Sequence, residues 1–92
     1  MIEIENSIKH YVVISQFVVD CEDGLSVVCV SHSLADALSI YQKELEEAQA
    51  DAKANGYDAE EQSEGENGER YFSAYLDGSY SSDHISVSLI VM

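Results

Sequence analysis

The sequence predicts an α+β fold of order ββαββ, with one helix packed on a four-stranded, mainly antiparallel sheet. Three observations carry that prediction. Two β-branched runs between Tyr11 and Ser31 flank an Asp-Gly pair, an apolar stripe of helical period runs from Leu34 to Ala52, and apolar residues alternate with polar ones from His84 to Val91. The chain of 92 residues suffices for one modest core, 46% of it is hydrophobic, and no proline or internal repeat divides it. Residues 1–92 therefore read as a single domain.

The first pair of runs, "YVVISQFVVDCEDGLSVVCVS", reads as a hairpin because Asp23-Gly24 suits the positive φ angles of a type I′ turn. With those two residues in the turn, Glu22 faces Leu25, Val19 faces Val28 and Phe17 faces Val30. Cys21 and Cys29 then lie opposite Ser26 and Val18 and are not joined. Two cysteines are too few for a disulfide framework or a zinc site, and both read as small buried hydrophobes.

The helix follows in "SLADALSIYQKELEEAQADAKANG". Ser33 is the N-cap, with Asp36 three residues on as a variant of the capping box. Leu34, Leu38, Tyr41, Leu45, Ala48 and Ala52 alternate steps of four and three and form the face that packs on the sheet. Asn55-Gly56 supplies a left-handed C-cap.

The segment from 57 to 69 reads as a thirteen-residue mobile loop, because "DAEEQSEGENGE" holds six carboxylates, no lysine or arginine and no apolar alternation. Two strands come next, "RYFSAYL" and "HISVSLIVM", joined at Asp77-Gly78. Ile85, Val87, Leu89 and Val91 form one face of the last strand, which is expected inside the sheet or at a subunit contact.

Charge sets the functional classes. Asp plus Glu number 18 against 4 Lys plus Arg, for a formal net charge of −14. Lys9, Lys43, Lys53 and Arg70 are scattered singly, so direct binding to nucleic acid is not expected and the partner should be basic. The opening "MIEIENSIKH" carries two glutamates and no apolar run, unlike a signal peptide, and no segment reaches the length of a membrane span. A soluble cytoplasmic protein, monomer or dimer, is the expectation.

No motif asks for catalysis. His10, His32 and His84 have no ligand or nucleophile at a recognisable spacing, and neither phosphate loop nor nucleophile elbow is present. No enzyme activity, cofactor or metal is expected. A calcium loop fits only in part: Asp58, Glu60, Gln62 and Glu69 take positions one, three, five and twelve, while the sixth position, which needs glycine, is Ser63. A weak calcium-binding acidic protein is therefore an alternative.

The sharper reading is a recognition surface. Glu44, Glu47 and Asp51 line one flank of the helix with Ile40 at the head of the row, and the loop adds Asp58, Glu60, Glu61, Glu64, Glu66 and Glu69. At about 1.5 Å rise per residue the row spaces its carboxylates on the order of 5 Å apart, comparable to the charges of a nucleic-acid backbone. Tyr71, Tyr75 and Tyr80, with serine and glycine around them, suit a protein-binding surface, and Ile40 or a tyrosine would be its apolar anchor.

In size, acidity and element order the whole chain resembles the small phage-encoded anti-CRISPR proteins. That resemblance implies an inhibitor in the host cytoplasm that blocks DNA or guide binding by a Cas effector, presenting carboxylates as a nucleic-acid mimic. "VVDCEDGLSVVCV" followed by "SLADAL" at 33–38 is similar to the HicB-type antitoxins, which implies an acidic module neutralising a basic toxin.

Overall fold

The computed structural model describes residues 9–19, 22–76 and 83–92. The α+β class holds, but the sheet has five strands, so the element order is ββαβββ. Strands β1 (Tyr11–Val19) and β2 (Glu22–Ser31) precede helix α1 (Leu34–Ala54), and β3 (Ala59–Glu64), β4 (Arg70–Tyr75) and β5 (His84–Val91) follow it. Every neighbouring pair is antiparallel and the order across the sheet is β2-β1-β5-β4-β3. The C-terminal strand lies at the centre, as its apolar alternation requires.

Facing residues share a side of the sheet. The registers therefore place Val13, Phe72, Ala74, Ile85, Val87 and Leu89 on one side, and all six join Ala37, Tyr41, Ala48 and Ala52 of α1 in the core. Phe72, Val13 and Leu89 are fully buried. The centre of the helix's buried face is Ala37, Tyr41, Ala48 and Ala52, so the stripe is turned slightly from the expected one. Leu38 and Leu45 sit at one shoulder of it and Ile40 at the other, all three partly buried. Alanines at the centre let the backbone approach the sheet, and the larger side chains fill the shoulders.

Both ends of α1 are built locally. The Ser33 hydroxyl accepts from the Asp36 amide at 3.2 Å, while the Ser33 amide donates to Ser31 Oγ at 3.0 Å. Ser31 thus takes the second role of a capping box. At the other end Gly56 has φ of 75°, its amide donates to Lys53 O at 3.1 Å and the Tyr57 amide donates to Ala52 O at 2.9 Å. This is a Schellman closure, and Tyr57 packs against the core beside it.

The first hairpin is not in the expected register. Val19 pairs with Glu22, Val18 with Asp23 and Phe17 with Gly24, so Asp23-Gly24 lies within β2 and not in a turn. The physical reason is the Phe17 ring, which covers Gly24 so closely that an added Cβ would meet Phe17 Cζ at 2.9 Å. Glycine here answers a close approach across the sheet. The ladder also shifts between Val13 and Ile14, where Cys29 and Val27 are the partners and Val28 is the extra residue of a bulge. Cys29 is a free, half-buried thiol; Cys21 and the Asp77-Gly78 pair lie outside the described residues.

The acidic segment is the larger correction. Ala59 to Glu64 pair with Tyr75 to Arg70 as a six-residue ladder at the sheet edge, so about half of the expected loop is strand β3. Its backbone pairs with β4 on one side, and among the described residues no strand pairs with the other, with Glu60 to Glu64 all exposed. With neither face buried there is no alternation to read, and charged residues on an edge also deter pairing with another chain.

The core predicts its own weak point. Phe72→Ala removes the largest fully buried side chain and should lower unfolding free energy by about 3–5 kcal/mol, read from urea denaturation.

Candidate functional site

The helix divides the predicted acidic surface in two. Glu44, Glu47 and Asp51 border a groove of about 230 Å³ on the side of β1, whose floor is Ser15, Phe17, Ala48 and Ile85. The β3 carboxylates lie beyond the opposite flank, where Glu64, Gln62 and Arg70 face Tyr41 and Leu45 across a second groove. One continuous acidic face is therefore replaced by two separated ones.

In the first groove Glu47 and Asp51 are exposed and Glu44 is half-buried. Ile40 is not the free anchor expected of it, since it packs against the core. Phe17 takes that place, 45% exposed beside the carboxylates. Its ring is held over Gly24, and Ser15 next to it on the same face leaves the floor open. Nothing that lines this groove is basic: one wall is anionic, and the floor sets Phe17, Ala48 and Ile85 beside the uncharged Ser15.

The second acidic element is partly occupied by its own chain. Glu60, Glu61 and Glu64 are exposed on β3, Glu66 is exposed in the following turn, and Asp58 is exposed just before the strand. Glu61 accepts from the Tyr75 hydroxyl at 3.1 Å, and Glu64 lies 4.0 Å from Arg70 Nε. Burial raises the Tyr41 hydroxyl above its ordinary pKa, with the nearby Arg70 opposing and Glu64 adding to that rise. Of the positions a calcium loop would use, Glu60 and Gln62 lie in an extended strand paired with β4 and the Glu69 carboxylate accepts from the Asn67 amide, so Asp58, Glu60, Gln62 and Glu69 do not form the coiled twelve-residue loop such a site needs. Among the described residues no group of three potential metal ligands assembles.

Glu69 serves the turn instead of the surface. Its carboxylate accepts from the Asn67 amide at 2.9 Å, and its carbonyl accepts from Gly65 N at 3.0 Å and from Arg70 Nη1 at 2.9 Å. Gly68, with φ of 104°, takes the left-handed conformation that favours glycine, and a Cβ there would meet Leu34 Cδ1 at 2.8 Å. The turn thus lies beside the start of α1.

Tyr71 and Tyr75 lie on the face of the sheet away from the helix, Tyr71 being 39% exposed; Tyr80 is outside the described residues. His10 and His32, far apart in sequence, come together at the end of the β1/β2 ladder with ring centroids 4.5 Å apart. His32 Nδ1 donates to the Lys9 carbonyl at 3.2 Å. The pairing Tyr11 with Ser31 brings them side by side, and the expected register concealed it.

The turn is testable by titration. Amides of Glu69 itself and of Asn67 hold the Glu69 carboxyl below its ordinary pKa. The stabilisation is present above the ordinary carboxylate pKa and is lost as pH falls through the depressed folded value. The Asn67 amide proton should therefore shift with a midpoint below the usual carboxylate range, and Glu69→Gln should abolish that titration in NMR spectra.

No protein family matches this sequence, and neither the curated proteins nor the solved structures offer a match.

Proposed function

We propose that this chain is a non-enzymatic inhibitor that binds a basic, nucleic-acid-binding protein through the groove between α1 and β1. The observation that supports it is the pairing of Glu44, Glu47 and Asp51 with the half-exposed Phe17 ring in a groove without a cation. An arginine or lysine side chain fits that chemistry. Its stem lies on the floor, its charged head donates hydrogen bonds to the carboxylates on the wall, and its cation meets the aromatic face, worth about 0.5–1 kcal/mol at an exposed site. The net charge of −14 draws a cationic partner in from a distance.

The resemblance to anti-CRISPR proteins gives the proposal its concrete form: a phage protein that occupies the DNA or guide channel of a Cas effector. Of the features behind the likeness to antitoxins, the strand pair and the helix opening "SLADAL" are present, while Asp23-Gly24 lies within β2 and not in the turn. The β3 carboxylates act at longer range, raising the rate of encounter more than the strength of the final contact.

A tagged protein incubated with host lysate at low and moderate salt tests this. It should retain a nucleic-acid-binding complex that added DNA or RNA and added salt both release. Glu44→Lys, Glu47→Lys and Asp51→Lys together should weaken capture at least about tenfold, or 1.4 kcal/mol, with circular dichroism unchanged. Reversing Glu60, Glu61 and Glu64 should weaken it less. Equal capture by the helix variant would remove the groove from the proposal.

A further inference from the structure

The edge strand β2 carries a second surface of opposite character. Leu25 and Val30 are each 61% exposed and Val27 is 57% exposed, with Val28 beside them in the bulge. These lie on the outer strand of the sheet, and among the described residues none pairs with its free edge. From Gly24 to Leu34 the sequence "GLSVVCVSHSL" has no Asp, Glu, Lys or Arg, in a chain where those residues make up 24%.

We infer that β2 pairs antiparallel with β2 of a second copy, joining two five-stranded sheets into one across a two-fold axis between Val27 and Val28. The sequence is self-complementary about that point. Val27 meets Val28 of the other copy, Ser26 meets Cys29, Leu25 meets Val30 and Gly24 meets Ser31. The bulge makes the pairing consistent with the pleat, because it shifts the alternation by one residue between Val27 and Cys29. Leu25 and Val30 are then on the outer face in both copies, and Gly24, Ser26, Cys29 and Ser31 are on the helix side, as the β1 register places them. Large faces large, and small faces small.

Charge selects this occupant. A cationic partner finds no carboxylate on this stretch, and a second copy meets no like charge on it. The remaining repulsion is between the two acidic bodies, and β3 lies at the opposite edge of each sheet. Added salt screens that repulsion and leaves the apolar contact, so the dimer tightens as salt rises. Binding of a basic partner has the reverse dependence, and this inference stands independently of the proposed function.

Sedimentation of the full chain tests it at low salt and at about 0.5 M salt, where screening lengths fall to a few ångström. The expected result is a mass of twice 10.1 kDa, more fully populated at high salt, with Val27→Lys and Val30→Lys each monomeric and folded. A cysteine placed at Ser26 reads the register directly. In a Cys21→Ser background, Ser26→Cys should give a disulfide-linked dimer through Cys29 under mild oxidation, and its parent should not. A wild type that stays monomeric at high salt, a dimer that tolerates both lysine variants, or equal cross-linking in the parent would overturn the assignment.

Discussion

One helix has to cover five strands, and it cannot. A helix with its side chains is about 10 Å across, whereas five strands at about 4.8 Å spacing extend roughly 20 Å between the outer axes. The helix therefore seals the inner strands, where Val13, Phe72, Val87 and Leu89 supply the core, and leaves both edges to be satisfied in other ways. The groove at Phe17 and the exposed acidic strand follow from that shortfall in cover, while Leu25, Val27 and Val30 of β2 lie on the face of the sheet that the helix does not reach. Each edge has its own answer: β3 is wrapped in carboxylates that hold water, and β2 keeps aliphatic residues in contact with it.

Where side chains bury one face, the sequence was readable. The alternation of Ile85, Val87, Leu89 and Val91 placed the last strand inside the sheet, and Ser33 and Gly56 marked the helix ends, because burial and capping leave periodic and local signs. Strand β3 left no such sign. Its order comes from backbone pairing with Arg70 to Tyr75, a partner that no spacing within 59–64 discloses. Asp23-Gly24 misled for the converse reason. A dipeptide favoured in turns was placed instead by Phe17, seven residues earlier on the neighbouring strand. The candidate site was legible in part: the carboxylate row was seen, but the floor beneath it depends on the β1 and β5 registers, and the helix's separation of the two acidic groups is a fact of the third dimension.

The two surfaces also differ in what their substitutions do to the fold. Glu47 and Asp51 stand clear of the core and contribute little to it, so charge there is free to follow a partner. Phe17 is tied to Gly24 and borders Ile85, so the aromatic floor is part of the hairpin's structure as well as of the groove. Change at the wall tunes affinity; change at the floor moves β2.

The ladder that fixes β3 has a consequence for entropy. A polyanionic tail must be ordered when it meets a cation, at about 1–2 kcal/mol of backbone entropy for each residue fixed. Here that ordering is completed during folding, by pairing with β4 and by the Gly56 closure and Glu69 turn at the two ends of the segment. Carboxylates on one face of such a strand recur at multiples of about 6.7 Å. Whatever approaches this edge meets a ruled array of negative charge, fixed in phase, with no conformational search left to make.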